Sequence, residues 1–241
     1  MEKYWLKSYP AGVPAEIDPS QHDSLVQLME ESFQKFANRN AYVCMDKFMT
    51  YGELDLYSKQ LAAWLQGRGL AKGARVAIMM PNILQNPIAL AAVLRAGYTV
   101  VNVNPLYTPR ELEHQMKDSG AEAIIILENF AHTLEQVIAH TKIKHVVVAS
   151  MGEMLGGVKG MIVNLVVRRV KKMVPAFSLP NAVRFKQALA EGARMPLKPV
   201  ALGHDDVAFL QYTGGTTGVS KGATLLHRNV IANVLQGDAW A

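Results

Sequence analysis

An α/β fold, with mixed and parallel sheets flanked by helices, is predicted by three features of this sequence. Short apolar runs recur near residues 76, 100, 124 and 146, the spacing of strand–helix–strand units. Between them lie segments of helical period with recognisable caps. Half of the residues are hydrophobic and 19% are charged, a balance suited to a parallel sheet covered on both faces.

The elements follow in order. Residues up to about Ser20 are irregular and read as a surface strap. Ser24 caps a helix whose Leu25, Leu28, Met29, Phe33 and Phe36 share one face. Ala41 to Met45 and Phe48 to Thr50 read as a hairpin about Asp46-Lys47. Thr50-Tyr51-Gly52-Glu53 is a capping box for a helix ending near Gly67 or Gly69. Val76 to Met80 is a strand stopped by Pro81-Asn82, Ile83 to Ala96 a helix, and Val100 to Val103 the next strand. Thr108-Pro109-Arg110-Glu111 starts another helix, with Thr as N-cap, Pro at N1 and Glu at N3. His114, on its polar side, reads as a solvated helix histidine. Ala123 to Leu127 and His145 to Ala149 are further strands, with Phe130 to His140 helical between them. A short helix is expected near Asn181 to Ala190.

Met161 to Lys172 places an apolar patch before Arg168-Arg169-Val170-Lys171-Lys172. Such a segment suits contact with an anionic membrane surface. Arg169 falls in the same helical sector as Ile162, Leu165 and Met173, so a solvated, partly packed helix stays open beside that reading.

The chemistry concentrates in Tyr212 to Gly222, Y-T-G-G-T-T-G-V-S-K-G, which follows the strand-like run from Val207. Four glycines, three threonines and one lysine occupy these eleven residues. Glycine lets consecutive N–H groups converge on an anion. Threonine hydroxyls and Lys221 add donors and a charge for the same group. The P-loop pattern does not fit, because Ser220 stands where glycine is required and Gly222 where Ser or Thr should hold magnesium. A glycine-rich hairpin turn is the plain alternative.

This stretch resembles the phosphate-binding motif of the adenylate-forming superfamily, approximately [ST]-[SG]-G-[ST]-T-G-x-P-K-G, with Leu226-His227-Arg228-Asn229 where that family has T-H-x-N. Ser220 replaces the usual proline, and Leu226 replaces a threonine. Asn104 to Gly120, N-P-L-Y-T-P-R-E-L-E-H-Q-M-K-D-S-G, is similar to bacterial long-chain fatty-acid–CoA ligases, as are Met80-Pro81-Asn82 and Phe209 to Gly222. The resemblance implies the N-terminal part of the adenylate-forming ligase fold. Residues 1–72 would belong to a second subdomain, 73–203 would form the first, and 204–241 would open the second. It also implies ATP, Mg²⁺ and coenzyme A, with a long-chain fatty acid as partner. Tyr212, Thr213, Gly214, Gly215, Thr216, Thr217, Gly218, Lys221 and Gly222 would then bind nucleotide, with Tyr212 supporting the strand end. His227 is the catalytic candidate, bordering the carboxylate or acyl site; its rival reading is an ordinary residue at a helix start. No metal ligand is assigned.

Family members continue for about as long again, through an acidic ATP/Mg²⁺ motif and a C-terminal domain bearing a catalytic lysine. The chain is therefore expected to be a portion that is inactive alone. A non-catalytic ATP- or acyl-binding fragment, an inert fragment and an aryl-CoA ligase remain as alternatives. No run of eighteen apolar residues and no signal core appear, which points to a cytoplasmic protein with at most peripheral contact with the inner membrane. The single cysteine, Cys44, reads as a structural thiol. A net charge of +5 without aromatic–basic interleaving gives no nucleic-acid signature.

Overall fold

The computed structural model describes residues 3–213 and 220–241. Ser24 opens α1 (Leu25–Lys35), its hydroxyl accepting the Gln27 N–H at 3.3 Å. β1 (Asn40–Cys44) and β2 (Lys47–Thr50) pair antiparallel. Their turn is Met45-Asp46, one residue earlier than the sequence spacing indicates, with φ of 47° and 58°. Two consecutive positive φ angles match the twist of a two-residue hairpin. α2 (Tyr51–Gln66) begins at a complete capping box: Thr50 Oγ1 accepts from Glu53 N at 3.1 Å, and the Glu53 carboxylate accepts from Thr50 N at 2.9 Å.

β3 (Arg75–Met79), α3 (Gln85–Arg95), β4 (Thr99–Asn102), α4 (Pro109–Ser119) and β5 (Ala123–Leu127) follow. α4 repeats the capping box with Thr108 and Glu111, and Gly120 ends it at φ 63°. The helix expected over 130–140 is broken: α5 (Ala131–Glu135) lies between 3-10 turns at Glu128–Phe130 and Ile138–His140. β6 (His145–Ala149) comes next. α6 (Gly157–Leu165) then runs into a π-helical turn, Val166–Val170. A two-residue strand, β7 (Val183–Arg184), precedes α7 (Phe185–Gly192); it is too short for sequence periodicity and forms by pairing with β6. β8 (Val207–Thr213), β9 (Lys221–Leu226) and α8 (His227–Trp240) complete the described chain.

One sheet runs β7-β6-β5-β3-β4-β8-β9, parallel throughout except for β8 with β9. Successive strand residues point to opposite faces. Val76, Ile78, Ile125 and Val147 pack with Leu61, Trp64, Ile88 and Phe185 of α2, α3 and α7. Ala77, Met79, Ile124, Ile126 and Val148 pack with Leu112, Met116 and Leu134 of α4 and α5. Burial on both faces explains why the central strands read as unbroken apolar runs.

β8 lies parallel against β4, with Val100 opposite Phe209, and the Thr99 hydroxyl donates to the Val207 carbonyl at 3.0 Å. The strand carrying the glycine-rich stretch thus continues the sheet of residues 73–203. Leu25 and Phe33 of α1 and Leu61 of α2 enter the core under it. β4 therefore has a hydrogen-bonded neighbour on each side, β3 and β8. Without β8, β4 would leave a row of unpaired N–H and C=O groups at the sheet edge.

Candidate functional site

β8 ends at the carboxyl edge of the parallel strands, where open α/β sheets bind ligands. The chain returns through β9 as an antiparallel partner, with Tyr212 opposite Gly222 and Thr213 opposite Lys221. Thr213 and Lys221 are both exposed and face each other at the open end of this pair. Gly214, Gly215, Thr216, Thr217 and Gly218, expected to bind nucleotide, lie outside the described residues. β8 and β9 pair as an antiparallel hairpin. Their connection, 214–220, is longer than the usual two to five residues.

Tyr212 packs against α4, on the sheet face of Leu112 and Met116. Its ring is 9% exposed within the core facing α4. Its hydroxyl donates to Asp118 Oδ2 at 2.5 Å. Burial, reinforced by the Asp118 carboxylate, pushes this hydroxyl well above the ordinary tyrosine range, so it stays protonated at neutral pH. Gly222 lies beneath that ring: a Cβ there would come within 3.0 Å of Tyr212 Cε2 and Cζ. The role of Gly222 is to admit the tyrosine.

His227 follows β9 directly. It is 1% exposed and is the first residue of α8. The ring Nδ1 accepts the Leu25 N–H at 3.0 Å, and the His227 backbone N–H donates to the Asp206 carbonyl at 3.0 Å. Burial holds its pKa below the ordinary 6.5, against the opposing pull of Asp206. A neutral ring that joins α8 to α1 is what this placement provides. Asn229 Oδ1 accepts the Leu226 N–H at 2.9 Å, so the cap survives the leucine that stands where a threonine was expected.

Several residues of the site have no local sequence signal. Asn102 Nδ2 donates to Gln211 Oε1 at 2.8 Å across β4 and β8. Gln115 Nε2 donates to the Asn102 carbonyl at 2.8 Å. His114 is half-buried, with Nε2 3.4 Å from the Ser220 carbonyl oxygen, so it is not the solvated helix residue its polar neighbours indicate. Beside the hairpin, a cavity of about 460 Å³ is walled by Asn102, Phe209, Gln211, Leu225, Asn229 and Val230 among others. It sets amides against apolar surface, which can take a ligand with both characters. Among the described residues no group of three or more His, Cys, Asp or Glu could hold a metal ion. An exposed threonine and lysine at a hairpin mouth suit the phosphates of a nucleotide.

Comparison with known proteins gives a consistent result. Residues 29–241 match the family described as AMP-binding enzyme. A long-chain-fatty-acid–CoA ligase of Salmonella typhimurium is 55% identical over 240 residues, covering 99% of this chain and 43% of that protein. The protein of the same name from Haemophilus influenzae is 48% identical over 237 residues, covering 98% and 42%. A solved long-chain-fatty-acid–CoA ligase from Archaeoglobus fulgidus superposes with a TM-score of 0.73 at 26% identity, over 96% of this chain and 42% of that one. An anthranilate CoA ligase in complex with anthranoyl-AMP, at 19% identity and a TM-score of 0.70 over 88% and 37%, matches in fold. The chain spans less than half the length of the curated relatives it matches.

Proposed function

The chain belongs to the family of AMP-binding enzymes, and from that membership we propose that it is the phosphate-binding, N-terminal portion of a long-chain fatty-acid–CoA ligase. The observation that carries the reading is Thr213 facing Lys221 at the carboxyl edge of the sheet. In this reaction a fatty-acid carboxylate oxygen attacks the α-phosphorus of ATP, the bond to the β-phosphate oxygen breaks, and pyrophosphate leaves. Coenzyme A thiolate then attacks the acyl carbon, and AMP departs with the bonding electrons. The first step crowds negative charge around the phosphates, so preplaced hydroxyls, N–H groups and the Lys221 ammonium stabilise it. Mg²⁺, when bound with ATP, would add charge neutralisation at the same oxygens. Tyr212 and Gly222 hold the strand pair. His227 has a joining role between α8 and α1.

The test is carboxylate-dependent pyrophosphate release from ATP–Mg²⁺ with palmitate, octanoate and an aryl acid. It is run on this chain and on a protein extended to the length of its relatives. Palmitate-dependent release by the extended protein, lost in Lys221→Ala, supports the reading. Release with the aryl acid alone would move the substrate class. No release, together with ATP binding indifferent to Lys221→Ala, overturns it.

Peripheral membrane contact belongs to the same proposal, and the build of α6 supports it. Gly160, Asn164 and Arg168 fix one face of the helix and its π-turn to the body. Gly160 meets Gly152 backbone to backbone, Asn164 Oδ1 accepts the Gly152 N–H at 2.7 Å, and Arg168 Nε and Nη2 grip the buried Glu128 at 2.8 and 2.9 Å. The other face leaves Val158, Met161, Ile162 and Leu165 exposed at 70%, 72%, 54% and 59%. Val43, Met45 and Phe48 of the β1–β2 hairpin are also exposed, and Lys159 bridges to that hairpin through the Met45 carbonyl and Asp46. Residues 154–190 carry seven Lys or Arg and no Asp or Glu, which leaves eighteen basic against twenty acidic residues elsewhere. An apolar face within a basic field fits an anionic bilayer surface. Among the described residues no helix is long and apolar enough to cross a membrane. Cosedimentation with phosphatidylglycerol vesicles, but not phosphatidylcholine vesicles, abolished in Met161→Asp/Ile162→Asp, is the expected result. Equal recovery with and without vesicles removes membrane contact from the proposal.

A further inference from the structure

The end of β8 and the residue before β9 are both held from one face of one helix. On the outgoing strand, the Tyr212 hydroxyl donates to Asp118 Oδ2 at 2.5 Å. On the returning side, His114 Nε2 lies 3.4 Å from the Ser220 carbonyl oxygen. His114 and Asp118 stand four residues apart on α4 and so project from the same side. Gln115 extends this contact inward to the Asn102 carbonyl, and Asn102 to Gln211, so α4 also touches the carboxyl ends of β4 and β8.

We propose that α4 is a staple for the phosphate-binding connection, with His114 and Asp118 as positioning residues that fix its two stems. Their work is separable from docking the helix. Leu112 and Met116, both 0% exposed, already seat α4 on the sheet, while Asp118 is exposed and His114 half-buried. Removing the polar pair therefore leaves the apolar seat intact. What changes is the spacing between Tyr212 and Ser220, and through them the register that sets Thr213 against Lys221. With its proton on Nε2, His114 donates to Ser220. The Asp118 carboxylate accepts from a tyrosine that burial keeps protonated. The role of α4 is to hold the two strand ends that carry Thr213 and Lys221. The proposal rests on the phosphate-binding reading of the stretch, but its mechanical part can be measured without nucleotide.

The test is hydrogen–deuterium exchange of peptides across 207–226, compared with peptides across α4 and β4, in His114→Leu and Asp118→Leu. The conservative variants His114→Gln and Asp118→Asn keep a side-chain donor and an acceptor. Loss of one hydrogen bond should speed exchange in the hairpin by up to about tenfold. Exchange in α4 and β4 should be unchanged, and Gln and Asn should restore the hairpin. ATP–Mg²⁺ affinity, measured on the same proteins by equilibrium dialysis, should fall by about three- to tenfold in the leucine variants and recover with Gln and Asn. Unchanged hairpin exchange in both leucine variants overturns the staple. So does an equal rise across α4, which would mean the helix has lifted, and so does failure of Gln and Asn to rescue. If neither this chain nor the protein extended to the length of its relatives binds ATP–Mg²⁺, the phosphate reading falls by itself, and the exchange data still decide the staple.

Discussion

The middle of the sheet and its β8–β9 side are built on different principles. β5 is buried along its whole length, Ile124 to Leu127 being 0% exposed, and its neighbours on both faces are apolar. β9 has no fully buried residue, and β8 ends in the exposed Thr213. The central strands are fixed by shape and by exclusion of water. The hairpin is fixed by named polar contacts: Tyr212 to Asp118, Ser220 to His114, Gln211 to Asn102. A ligand site needs exposed donors, and exposed donors cannot be held by burial. Particular side chains must hold them instead.

Ile125→Ala should produce the largest effect, because it empties a site with 0% exposure in the centre. A loss of about 2–5 kcal/mol is expected in chemical denaturation, spread over the whole transition. Gly222→Ala should cost less, about 1–3 kcal/mol, through the approach of its Cβ to the Tyr212 ring. That penalty should shrink in a Tyr212→Ala background; a full penalty there would show that the ring is not the obstacle. Tyr212→Phe should cost about 0.5–1.5 kcal/mol, since Asp118 is exposed and water replaces the lost donor. Hydrogen exchange would place that loss in the hairpin and spare β5.

The smallest effect is a response to pH. His227 is neutral in the fold with its pKa depressed below 6.5, whereas the unfolded chain titrates near 6.5. Its contribution is fully present above 6.5 and is lost as pH falls from there through the depressed folded value, because protons bind the unfolded chain more readily. Protonation also removes the acceptor for Leu25 N–H. His227→Asn should flatten this slope at the α1–α8 contact and leave the exchange of β5 unchanged. A steeper slope in the variant would mean another group is responsible.

The two regions also differ in how far they can be read from sequence. The capping boxes at Thr50 and Thr108 and the apolar strands at 76, 124 and 146 depend on residues within four positions of one another, and all were legible. β7 was not, because two residues carry no periodicity. The placement of β8 beside β4 was missed for another reason: edge complementarity between strands over 100 residues apart leaves no local trace. The site divides in the same way. Composition exposed the glycine, threonine and lysine stretch. His114, 106 residues from Ser220, looked like any helix histidine, and the Nδ1 bond of His227 spans 202 residues to Leu25. The i, i+4 spacing of His114 and Asp118 was the one available hint.

The pairing of β8 with β4 also sets an order of events during synthesis. β3, β4, β5 and β6 are joined by short connections and are all present once residue 149 has been made. The partner of Val100 is Phe209, so β4 keeps an open edge while residues 150 to 209 are added. Closing so long a loop is slow compared with pairing near neighbours. A nascent chain therefore has its scaffold before it has its hairpin, and the exposed edge of β4 is the part a chaperone would need to shield in the interval.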